Sequence, residues 1–125
     1  MNYRNSLITG IFFAAVGVAV GAFGAHALKD MLADTGRTDT FELAVRYQFY
    51  HAFALMITGL LLRAFETPLI KYAASCFLFG ILFFCGNLYL LCFTGIGIFG
   101  AITPVGGLLF IAGWVLLLVG IVKKT

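Results

Sequence analysis

The chain has 125 residues, 62% of them hydrophobic and 10% charged, with a mean hydropathy of +1.07; soluble domains run at roughly 45–50% and about 25%. So few polar groups cannot cover a water-facing surface, which excludes a soluble enzyme, a disordered tail and a nucleic-acid-binding module. The net charge of +3 comes from eight Lys and Arg against five Asp and Glu, scattered rather than gathered into a basic patch. This is the composition of an integral membrane protein.

A spanning helix needs about 20 apolar residues, and four such stretches follow one another. The first runs from about Ser6 to Leu28, with no formal charge between Arg4 and Lys29. Arg4, this run and Ala25-His26-Ala27 also have the outline of a secretory signal with its cleavage site. The run exceeds the roughly 7–15 residues of such a signal, so a retained span is expected. A polar segment from Lys29 to Asp39 leads to a second helix over about residues 40–63, with Thr38, Asp39 or Thr40 as its cap and Glu42 in its first turn. That helix ends near Arg63, Glu66 and Pro68, and the third covers about Leu69 to Phe93. The glycine-rich, charge-free stretch from Thr94 to Thr103 reads as a connection sunk at the interface. Thr103-Pro104, a cap with proline at the first helical position, opens a fourth helix over about residues 104–122. The expected fold is all-α: one membrane domain over residues 1–125, with four transmembrane helices in a compact bundle.

An even number of spans puts both termini on one side. That side holds Arg4, Arg63, Lys71, Lys123 and Lys124 against Glu66; the other holds Lys29, Arg37 and Arg46 against Asp30, Asp34, Asp39 and Glu42. By the positive-inside rule both termini are cytoplasmic, in a cell (plasma) membrane. Cys76, Cys85 and Cys92 are odd in number, lack a Cys-x-x-Cys pair and lie in one apolar stretch. They read as small hydrophobes, with neither a disulfide framework nor a zinc site.

Small residues mark where helices approach one another. Gly10, Ala14, Gly17, Gly21 and Gly24 share one face of the first helix, and Gly17 to Gly21 is a GxxxG unit. Ala15, Ala19, Ala22 and His26 form a second stripe on roughly the opposite side. Two small faces suit a central helix, with Phe12, Phe13, Val16, Val20 and Phe23 toward lipid. Gly106, Gly113 and Gly120 recur every seven residues as a close-packing seam on the fourth helix. Trp114, near the middle of that helix, is expected inside the bundle.

The second helix aligns Tyr47, His51, Ala54 and Thr58, with Arg46 and Tyr50 beside them; the third aligns Cys76, Gly80, Phe83 and Asn87. His26, His51, Asn87, Tyr89 and Thr103 all fall toward the outer leaflet, whereas Thr58 and Ser75 do not. An ionisable side chain within a span is costly unless partnered and is by default a functional-site hypothesis. A partnered cluster also fixes helix register, at roughly 0.6 kcal/mol per interhelical hydrogen bond. Two readings of His26, Arg46, Tyr47, Tyr50, His51 and Asn87 therefore stand open: structural glue, or a site for a ligand or a proton.

Gly21-Ala-Phe-Gly-Ala-His-Ala-Leu-Lys29, Tyr47-Gln-Phe-Tyr-His-Ala52, Gly86-Asn-Leu-Tyr-Leu90 and Thr103-Pro-Val-Gly-Gly107 with Gly113-Trp114 resemble the transmembrane protein 256/YgdD family, also labelled domain of unknown function 423. The resemblance spans nearly the whole chain, and Gly-Ala-Phe-Gly-Ala-His is its most specific piece. It implies a small multi-span membrane protein, bacterial members being placed in the cell membrane, and supplies no catalytic residues. Where the family pattern has a small residue such as Ser after the glycine of the third helix, this chain has Asn87.

Four functions compete. In the first, a non-enzymatic bundle holds a lipid, a quinone-like molecule or another small amphiphile, or moves a proton, in a polar pocket near the outer leaflet. His26 and His51 would titrate, Tyr47 and Tyr50 would orient them, and Arg46 would attract an anionic headgroup. In the second, the chain is a structural or assembly partner, associating as a homo-oligomer or with another membrane protein through its glycine seams. The third has His26 and His51 ligating one haem iron axially; no other metal or cofactor is expected. The fourth, catalysis, finds no carboxylate pair, Ser-His-Asp set or phosphate loop, and Asp30, Asp34 and Asp39 near His26 read as a solvated loop. The first reading is expected, with no enzyme activity, and its partners are the lipid bilayer and the amphiphile.

Overall fold

Backbone groups shielded from water must bond within their own segment, and the apolar runs all become helix. The computed structural model describes residues 1–124, with side chains up to Lys123. They form α1 (Tyr3–Ala25), α2 (Lys29–Asp34), α3 (Thr38–Ala64), α4 (Pro68–Gly80), α5 (Gly86–Thr94) and α6 (Gly97–Lys124). A π turn over Ile81–Cys85 joins α4 and α5 into one rod, closed by the Gly86 N–H donating to the Ile81 carbonyl. Among the described residues, three helices are long and apolar enough to cross a membrane: Tyr3–Ala25, Pro68–Thr94 and Gly97–Lys123. Length and composition therefore qualify three spans where four are expected. α3 is as long as the others, but Glu42, Arg46, Gln48 and His51 dilute its apolar character.

Local chemistry moves several boundaries. The Asn2 side chain accepts from the Asn5 N–H at 2.7 Å, so α1 starts three residues earlier than expected. The polar segment after α1 contains the unforeseen α2, whose Leu32 is buried against Phe41 and Cys92. α3 begins at Thr38 with Arg37 at its cap and no side-chain capping bond, so none of the expected caps operates. The expected ten-residue connection shrinks to a turn through Gly95, whose φ of 69° favours glycine. α6 starts at Gly97, Pro104 lies inside it, and the Thr103 hydroxyl donates back to the Phe99 carbonyl at 3.0 Å. A long irregular loop within apolar surroundings would have left its peptide groups unbonded, whereas a proline within a helix frees only one carbonyl.

Glycines set the packing. A Cβ at Gly10 would meet Met56 and Ala52, one at Gly17 the Phe49 ring, and one at Gly24 the Phe41 ring, while Gly59 lies against Leu7 and Tyr3. α1 and α3 are thus antiparallel. In the same way Gly106, Gly113 and Gly120 face Phe84, Phe77 and Ile70, which sets α6 antiparallel to the α4–α5 rod. α3 joins the two pairs and is the central helix, contrary to the expectation for α1. The second small stripe of α1, Ala15, Ala19, Ala22 and His26, is exposed, because no other helix offers it large side chains. Phe12 and Phe23 face outward, but Phe13, Val16 and Val20 are half-buried.

Buried polar groups tie the elements together. The Ser6 hydroxyl donates to the Leu55 carbonyl at 2.6 Å. Gln48 does more: its amide donates to the Phe13 carbonyl at 2.8 Å and its oxygen accepts from the Tyr89 hydroxyl at 2.6 Å, linking α1, α3 and α5. Replacing Gln48 with leucine strands that hydroxyl, and the thermal unfolding midpoint in mild detergent is expected to fall with a loss of about 1–2 kcal/mol. An unchanged midpoint would show that the network is incidental.

Candidate ligand groove

Tyr47 and His51 stand one turn apart on α3, so their side chains share a face. On α6, Gly107, Phe110, Ile111 and Trp114 fall on one face by the same spacing, with Pro104 one turn earlier. Between these faces, and closed at one side by Phe84 of the π turn, lies a groove of about 640 Å³. The His51 ring stacks on Phe110, centroids 3.5 Å apart and planes at 10°. Tyr47 stacks on Phe84 at 4.9 Å, and Phe77 meets Trp114 edge-on at 4.8 Å.

His51 is 4% exposed and both of its ring nitrogens are engaged. The Trp114 indole N–H donates to Nε2 at 3.1 Å, and Nδ1 lies 2.8 Å from the Tyr47 carbonyl. An indole N–H only donates and a carbonyl only accepts. Nε2 is therefore the acceptor, and Nδ1 carries the proton of a neutral imidazole. The Tyr47 hydroxyl, by contrast, makes no hydrogen bond among the described residues, which leaves one free polar group on an aromatic wall. Trp114 is 45% exposed: it forms the rim of the groove rather than lying inside the bundle.

The other candidate residues are dispersed. Tyr50 is exposed, its ring 5.6 Å from that of Tyr47. Arg46 lines a different cleft, against α1, together with Glu42. His26 follows the last turn of α1 in a shallow apolar niche with Ala19, Ala22 and Phe23. The two histidines thus line separate cavities, and the structure does not bring them together. Asn87 is buried and serves the π turn, its amide donating to the Phe83 carbonyl at 2.6 Å. A π turn shifts carbonyls out of α register, and π turns often occur at functional sites. Sequence reasoning passed over Phe84, Phe110 and Gln48; the amide of Gln48 in an otherwise apolar run is itself a signal of a buried polar link.

A family profile described as "Protein of unknown function (DUF423)" matches residues 20–107. The UPF0382 membrane protein of Staphylococcus epidermidis (strain ATCC 12228) is 42% identical over 117 residues, covering 94% of each chain. A UPF0382 membrane protein of Staphylococcus saprophyticus is 40% identical over 117 residues, 94% of this chain and 96% of the relative. UPF0382 membrane protein YwdK of Bacillus subtilis (strain 168) is 37% identical over 118 residues, covering 94% of this chain and 95% of YwdK. No solved structure matches.

Proposed function

This chain belongs to the DUF423 family of membrane proteins, and from that premise we propose that it holds one small amphiphilic molecule in the α3–α6 groove without catalysing its conversion. The observation that carries this reading is the free Tyr47 hydroxyl in a groove lined mostly by aromatic and aliphatic side chains, an arrangement suited to a molecule with one polar acceptor and an apolar body. In this reading α3 is the fourth span. It packs antiparallel to α1, and the helix ends bearing Arg4, Arg63, Lys71 and Lys123 gather on one side. That side faces the cytoplasm of a cell membrane, and both termini with it.

Trp114, the single tryptophan of the chain, lies on the groove and is its natural reporter. Titrating the purified protein in mild detergent with a short-chain benzoquinone is expected to quench Trp114 saturably, at one site per chain. Tyr47→Phe, which keeps the ring, should weaken that binding by about fivefold, the worth of one hydrogen bond of about 1 kcal/mol. Linear, non-saturating quenching that Tyr47→Phe does not alter would overturn the reading. The reading includes no resident cofactor; a Soret band in the visible spectrum that disappears in His51→Ala would overturn that part. A second reading, lateral association, is favoured by the exposed stripe of Ala15, Ala19 and Ala22. Cross-linking through a cysteine at position 19, in a background lacking the native thiols, tests it against a monomer.

A further inference from the structure

A second cleft, of about 270 Å³, lies between α1 and α3, at the end of the bundle where α2 sits and on a face of α3 away from the groove. Its floor is apolar: Gly21 and Gly24 of α1, Phe41 and Val45 of α3, and Leu32 of α2. The opening exists because Gly21 leaves space, a Cβ there meeting only Val45 at 3.5 Å. Two opposite charges stand at the rim, Glu42 and Arg46. They are four residues apart in the order that favours a helical ion pair. Yet the one salt bridge among the described residues is Lys71–Glu66, at the other end of the bundle, so Glu42 and Arg46 are not paired.

We propose that this cleft binds the headgroup of a zwitterionic phospholipid of the ethanolamine type. Four residues of helix rise separate the two rim positions by about 6 Å, which suits a headgroup carrying phosphate and ammonium on a two-carbon spacer. The Arg46 guanidinium donates to the phosphate oxygens as a planar fork. Glu42 accepts from the ammonium, and the chains of the lipid leave along the exposed apolar flank of α1. The charge at this end of the bundle argues for a dipolar ligand over an anionic one. Lys29, Arg37 and Arg46 share this end with Asp30, Asp34, Asp39 and Glu42, and an anionic headgroup would satisfy Arg46 while leaving Glu42 beside a like charge. A choline headgroup carries the positive charge but no N–H to donate.

Native mass spectrometry in mild detergent tests this with dioleoyl lipids bearing ethanolamine, choline or glycerol headgroups, and with soluble phosphoethanolamine. The expected result is one ethanolamine lipid retained per chain, about tenfold more strongly than either of the other lipids, as charge-assisted hydrogen bonding implies. Free phosphoethanolamine, lacking chains, should not be retained. Arg46→Gln should reduce retention of all three lipids. Glu42→Gln should weaken the ethanolamine lipid more than the choline lipid and so remove the difference between them. Both side chains are exposed, so unchanged unfolding midpoints are expected to confirm that the variants fold. Gly21→Leu fills the cleft without touching either charge and should abolish the preference independently. Equal retention of the three lipids, preference for the glycerol lipid, or indifference to all three substitutions would overturn the proposal. The groove titration with Trp114 reads a different face of α3, so either site can fail without the other.

Discussion

Gly106→Ala is expected to cost the folded protein about 3 kcal/mol or more, through one added methyl group. A Cβ at Gly106 would overlap the Phe84 amide nitrogen and lie 2.7 Å from the Phe83 carbonyl carbon and the Phe84 Cα. These are backbone atoms of the π turn, and no side-chain rotation moves them away. Gly113 and Gly80 face a softer obstacle. A Cβ at Gly113 meets the Phe77 ring at 2.7 Å, and one at Gly80 runs into the Phe110 ring, each of which can turn. The neighbouring glycine supplies the control, because a Cβ at Gly107 meets only Phe84 ring carbons, at 3.8 and 3.9 Å. Gly107→Ala should therefore melt near the parent protein in mild detergent, followed by circular dichroism, while Gly106→Ala melts far below it or does not fold. Equal midpoints for the two would mean that α6 does not rest on the π turn at backbone distance.

The contrast between Gly106 and Gly107 also marks what could be read from the chain before its structure. Glycines at spacings of three, four and seven leave a furrow along a helix, and only large side chains on a neighbour fill it. Gly10, Gly17 and Gly24 find Met56, Phe49 and Phe41, and the α6 seam finds Ile70, Phe77 and Phe84. Trp114 was expected inside the bundle and lies at its rim instead, although the spacing held the answer: one position along a helix is about 100°, so a residue beside Gly113 lies at the edge of the seam, not under it. The π turn was not legible. Ile81–Cys85 looks like any apolar stretch, and what accompanies the extra residue lies elsewhere: the Asn87 amide on the Phe83 carbonyl and the bare backbone of Gly106. The site was legible in part. Tyr47 and His51 share a helix face and do meet in the groove. His26 and Asn87 were grouped with them by apparent depth alone, and depth carries no information about the direction in which a helix face points; Arg46 was grouped by its place beside them on α3, yet it turns to the cleft against α1.

His51→Ala carries the second large effect, a loss of about 3 kcal/mol in stability. The substitution removes a ring packed among Tyr47, Phe77, Phe110 and Trp114, and it leaves the Trp114 indole N–H without its acceptor. Trp114→Phe keeps the aromatic bulk and deletes only the donor, so it should cost about 1 kcal/mol. Combining the two should cost less than their sum, since each breaks the same bond. Thermal unfolding of the four proteins, followed by circular dichroism because Trp114 is absent from two of them, measures the coupling. The size of the His51→Ala effect separates the two roles this histidine has had from the outset. With both ring nitrogens held within the protein, His51 braces α3 against α6, and the proposed ligand would meet its neighbours Tyr47 and Trp114 instead. Were His51→Ala as stable as the parent yet unable to bind the quinone probe, the imidazole would belong to the ligand and the indole contact would be the dispensable one.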